Sequence, residues 1–85
     1  MGPYGTIPGG RSIECAGYFS FAAGYRAKAR HTGSFVWGDL TEADATSWAP
    51  NQFQVRANGG AVFSTGGSGL KVDGSAVLTE SKLPR

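Results

Sequence analysis

Three glycines fourteen residues apart, Gly10, Gly24 and Gly38, constrain this chain more than any other feature. Their neighbours keep the same register. Thr6-Ile7-Pro8-Gly9-Gly10 aligns with Ser20-Phe21-Ala22-Ala23-Gly24 and with Ser34-Phe35-Val36-Trp37-Gly38. The shared pattern is a small hydroxyl, a large apolar residue, two variable positions and a glycine. The second halves match too, with Ser12-Ile13-Glu14-Cys15-Ala16 falling on Arg26-Ala27-Lys28-Ala29-Arg30. A helical-hairpin repeat needs about 34 residues, so a helical solenoid is ruled out. A shorter unit has room for two short strands and two tight turns. Stacked in parallel, such coils form a β-solenoid in which each residue lies about 4.8 Å from its equivalent. The glycines suit a corner that needs positive φ.

Strand alternation then assigns faces. Phe21 and Ala23 share one face with Phe35 and Trp37, and Ser20 and Ala22 point the other way. Ala27 and Ala29 point inward, and Arg26, Lys28 and Arg30 outward. Packing large residues against small ones, this reading places Ile7, Phe21 and Phe35 in one interior column with Trp37 below Ala23. Val36 then lies on the opposite face, toward partner chains.

Composition explains why partners are expected. Leu, Ile, Val and Phe together number only 16 of 85 residues, close to the level at which chains fail to fold. A net charge of +2 is too low for a disordered chain and too low to imply nucleic acid. With one cysteine, Cys15, no internal disulfide can form. Cys15 and His31 are the only soft metal ligands, far short of a zinc set. Neither a metal nor a cofactor is expected, which leaves association as the route to stability. No apolar run approaches the roughly 18 residues of a membrane span, and no signal peptide is legible.

The stretch Tyr18-Phe19-Ser20-Phe21-Ala22-Ala23-Gly24-Tyr25-Arg26-Ala27-Lys28-Ala29 resembles the head repeats of trimeric autotransporter adhesins of the YadA type. Gly33-Ser34-Phe35-Val36-Trp37-Gly38-Asp39 and Asn51-Gln52-Phe53-Gln54-Val55-Arg56-Ala57-Asn58-Gly59-Gly60 resemble the end of such arrays in bacterial surface and phage tail-fibre proteins. The resemblance covers about residues 4–65. It implies an all-β, left-handed parallel β-roll of 14-residue coils, packed as a homotrimer outside the cell or on a virion. Pro8-Gly9 departs from it, where small apolar residues are usual, so the first coil is expected to fray or cap.

Residues 1–39 are thus read as repeat coils. Residues 40–51 read as a connector with a short helix capped by Thr41-Glu42-Ala43-Asp44 and stopped by Pro50. Residues 52–65 read as a strand pair closing the array, Phe53, Val55 and Ala57 alternating before a turn at Asn58-Gly59-Gly60 and a return through Ala61–Ser64. Residues 66–85 read as a Gly/Ser linker and a hairpin around Asp73-Gly74, or a stalk stub, with 79–85 a cut end or vector remnant.

Little in the chain suggests catalysis. Asp39, Glu42 and Asp44 lack calcium-loop spacing and read as solvated loop carboxylates and a helix cap; paired carboxylates from this cluster are also the candidate for glycan cleavage. Tyr25, Arg26, Lys28 and Arg30 are the candidate surface ligand contacts, for a host-surface glycan or receptor, with His31 beside them. Their bland alternative is a solubilising strand face. Phe35 and Trp37 could stack on a sugar but read as core. Cys15, in register with Ala29, reads as a core filler, and no serine sits in a nucleophile elbow. The residues expected to pack the core and the trimer are Ile7, Phe21, Phe35, Val36, Trp37, Phe53 and Val55. The expected function is non-enzymatic: a structural or adhesive fibre segment, with a carbohydrate-binding module as the alternative and a glycan-cleaving fibre domain behind it.

Overall fold

The computed structural model describes residues 1–77. Within them the chain is all-β, without a helix. The strands are β1 (Gly10–Arg11), β2 (Glu14–Cys15), β3 (Phe21–Tyr25), β4 (Ala27–Ala29), β5 (Phe35–Gly38), β6 (Ala45–Thr46), β7 (Phe53–Arg56), β8 (Lys71–Val72) and β9 (Ser75–Ala76). β1, β3, β5 and β7 form one parallel sheet in that order, and β2, β4 and β6 a second. The two sheets face each other, and the chain winds between them as a β-solenoid-like stack of about three turns.

Register follows the sequence alignment through the first coils: Gly10 pairs Gly24, Glu14 pairs Lys28, Cys15 pairs Ala29 and Phe21 pairs Phe35. The exception is at the first coil. Thr6, not Ile7, bridges Phe21, so one extra residue stands between Thr6 and Gly10. It falls at Pro8-Gly9, where proline has no N–H to give a ladder. Ile7 is thereby displaced from the Phe column and exposed.

The interior is built from small side chains. Cys15, Ala22, Ala27, Ala29, Val36 and Ala45 form the buried cluster, with Ile13 packed against it. Val36 is fully buried, and Ser20, Ser34 and Ser47 share the interior. This reverses the expected phase: Val36 faces into the coil, not outward, while Phe21, Phe35 and Trp37 lie on the sheet's outer face with Phe53 and Val55. The cause is width. Short corners hold the sheets so close that Ala22 and Val36 fill the gap to Ala27, Ala29 and Ala45; rings there would force the sheets apart. The interior serines cost little because each hydroxyl is engaged. Ser20 Oγ donates to the Gly17 carbonyl and Ser34 Oγ to the His31 carbonyl, both at 2.6 Å, closing successive corners.

The short helix expected within residues 40–51 does not form. Ala45-Thr46 joins the second sheet as β6, and β7 pairs β5, so parallel stacking runs on to Arg56. Ala27 pairs Ala45 and Phe35 pairs Phe53, an offset of eighteen rather than fourteen. Four extra residues between Gly38 and Ala45 enlarge one corner and hide the repeat. Residues 61–64 form no returning strand. The Asp73-Gly74 hairpin is present, with β8 and β9 antiparallel; Leu78 and the expected cut end at 79–85 lie outside the described residues.

Glycine is obligatory at the corner. Gly10 and Gly24 have φ of +126° and +97°. A methyl on Gly24 would also collide with the Gly38 carbonyl oxygen.

Candidate functional site

The outer face of the four-stranded sheet carries an aromatic ladder. The Phe21 and Phe35 rings stack at 4.5 Å with planes 1° apart, and Phe35 and Phe53 at 4.6 Å and 14°. In-register parallel strands dictate this, because equal residues repeat at the strand spacing. Trp37, between Ala23 and Val55 in the register, stands beside the ladder. Phe53 is 69 % exposed and Trp37 40 %. Stacking covers the inner ring faces, leaving ring edges along the strip and the far face of Phe53 at its end. The edges suit another apolar wall.

The second sheet's outer face is polar and its charges are spent internally. Arg26 Nε donates to Asp44 at 2.9 Å, Arg30 Nε to Glu14 at 3.1 Å, and Lys28 Nζ to the Ser12 carbonyl at 2.6 Å. The Glu14 hydrogen bond, foremost, raises Arg30's hold on its proton. Of the expected ligand contacts, only Tyr25 is left without such a partner, and it stands apart. Tyr25 lines a groove of about 510 Å³ with Gly10, Arg11, Gly24, Leu40 and Glu42. His31 is a corner residue held by Ser47 Oγ at 2.7 Å. Ser47 Oγ also accepts the Arg30 N–H at 3.0 Å. Cys15 is buried, its Sγ 3.0 Å from Ser20 Oγ.

The acidic residues do not converge. Asp39 belongs to a lock on the enlarged corner. Its Oδ2 accepts the Asn58 N–H at 2.6 Å, and its Oδ1 accepts Arg56 Nε at 2.8 Å and the Thr41 N–H at 3.2 Å. The Asn58 hydrogen bond first, then Arg56 and Thr41, hold the Asp39 carboxyl well below the usual carboxylate range. A carboxylate so held cannot serve as a general acid near neutral pH. Arg56 also donates to the carbonyls of Tyr25, Asp39, Thr41 and Ala43. Sequence reasoning missed this role; the only signal was an arginine aligned with the corner glycines, at the position paired with Gly38. Among the described residues, no three acidic, histidine or cysteine side chains could together hold a metal ion.

A second aromatic feature was also missed. Tyr4 and Phe19 stack at 4.8 Å and 4°, at the corner where β3 begins. They are 77 % and 64 % exposed, with Tyr18 beside them also exposed. Both have positive φ, 59° and 52°, a conformation rare for bulky side chains. Gly33 and Asn51, at the same corner of later coils, are residues that adopt it readily. Compared with family models, curated proteins and solved structures, the chain matches none of them.

Proposed function

We propose that the chain is a structural segment of a homotrimeric fibre on a cell surface or virion, spacing or displaying an adhesive region. The observation that carries this reading is the Phe21–Phe35–Phe53 ladder, stacked outside the coil while only small residues fill its interior. An apolar strip of this kind, with Trp37 and Val55 beside it, is what a partner chain covers. Three copies about one axis bring each ladder against its own equivalents. Fourteen-residue coils of the YadA type supply the repeating unit in this reading, with the enlarged corner as a variation on it. The basic row Arg26, Lys28 and Arg30 gives little support to an anionic-glycan module, because its members are engaged within the chain.

The test is the mass in solution, by sedimentation equilibrium or light scattering across about 1–100 μM protein. A mass of three chains is expected. One chain throughout that range overturns the reading.

A further inference from the structure

The four-stranded sheet ends differently at its two edges. At the edge where β3 begins stands the stacked ridge of Tyr4 and Phe19, exposed and held at positive φ in both coils. At the edge where β3 ends lies the groove between Tyr25, Leu40, Arg11 and Glu42, floored by Gly10 and Gly24. No side chain of its own coil can fill that floor, because a Cβ there meets backbone. The six residue steps from Phe19 to Tyr25 separate ridge and groove by about 20 Å, with the Phe ladder between them.

We infer that the ridge of one copy seats in the groove of the next. The proposal rests on the trimer reading and names the contact that sets its rotation. A ring of identical chains needs two different, complementary patches on each copy, and the ridge and groove are such a pair. The groove has room for the ridge: it is about 510 Å³, within the roughly 300–1,000 Å³ of pockets that take a drug-sized ligand. Their polarity agrees as well. Among the described residues neither Arg11 nor Glu42 has an ion-pair partner. Tyr4 and Tyr18 bring phenol hydroxyls, able to accept from the guanidinium or donate to the carboxylate. The corner imposes positive φ in every coil, and only at Tyr4 and Phe19 does it carry aromatics in place of Gly33 or Asn51. A second copy covering the ridge gives those rings a role, whereas a small ligand in the groove would leave the ridge bare.

The experiment places one thiol on each feature, Phe19→Cys and Leu40→Cys, in a Cys15→Ala background. Mild oxidation of the double variant should give a covalent band of three chains on a non-reducing gel. Each single variant should stay at one chain. A three-chain mass in solution without cross-linking overturns the ridge-in-groove contact while leaving the trimer. Cross-linking in the Phe19→Cys variant alone overturns it too, because like edges would then meet. A one-chain mass for the unmodified protein removes the trimer reading itself.

Discussion

Val36→Ala tests the phase of the coil, on which the exposed Phe ladder depends. Val36 is the largest apolar side chain with no exposure, paired with Ala22 on one side and Gln54 on the other. Truncation removes two methyl groups, about 1.6 kcal/mol of lost transfer free energy at about 0.8 per carbon. The hydrogen-bonded corners prevent the sheets from closing on the gap, so a cavity cost adds to this, for a total of about 2–3 kcal/mol. A domain of this size has roughly 4–13 kcal/mol in all, at about 0.05–0.15 per residue, so the loss is large. Urea titration followed by circular dichroism at fixed protein concentration reads it. The midpoint should fall with an unchanged slope, since the same surface is exposed on unfolding. A loss below about 0.5 kcal/mol would refute the phase, because Val36 would then lie outside the coil and the aromatics within.

Three further outcomes are expected. Asp39 titrates below the usual carboxylate range when folded, so its contribution is whole above the unfolded value of about 3.9 and lost as pH falls from there toward the folded one. Wild type should therefore lose melting temperature between pH 5 and pH 2 more steeply than Asp39→Asn, and equal slopes would count against the lock. Arg56→Lys should behave like a loss, since an ammonium cannot span the carbonyls of Tyr25, Thr41 and Asp39 together. Amide exchange at residues 39–44 should quicken at least tenfold, and unchanged protection would contradict this role. Trp48→Phe leaves Trp37 as the sole indole; its emission should shift to the blue as protein concentration rises through assembly, and a constant spectrum in a concentration-dependent trimer would place Trp37 outside the interface.

The stacking was legible because parallel in-register coils write their geometry into spacing. Glycines at 10, 24 and 38 cannot be exchanged where φ is positive or carbonyls approach closely, so the period survives in the sequence. Alternation along Phe21–Tyr25 was equally clear, but alternation yields two faces without saying which is inside. That choice depends on the gap between the sheets, set by corner geometry and by serines whose hydroxyls find carbonyls three residues back. Neither has a signature in hydrophobicity, so the rule of large residues inward chose the wrong face. The third coil was missed for another reason. Four added residues shift Ala45 and Phe53 out of the fourteen-residue register, and the inserted Thr41–Asp44 carries a good helix cap that long-range pairing overrides. Of the candidate site, the basic row was visible as residues. The fourteen-residue alignment also set Glu14 beside it, over Lys28, whereas Asp44 was hidden by the four added residues that shift it out of register.

The ladders also have a mechanical meaning. Backbone hydrogen bonds between coils run broadly along the stacking axis, slanted and evenly spaced as parallel strands require. A pull along that axis therefore loads every bond between two neighbouring coils at once, and the coils themselves in series. Strength is set by the weakest junction. Counting both sheets, the first junction holds five residue pairs, two in each sheet and the Thr6 bridge, the second holds six, and the β5–β7 junction holds four, all in one sheet among the described residues. The β5–β7 junction, paired through one sheet only, is thus the place where the stack parts under tension, and the earlier coils hold together as one piece.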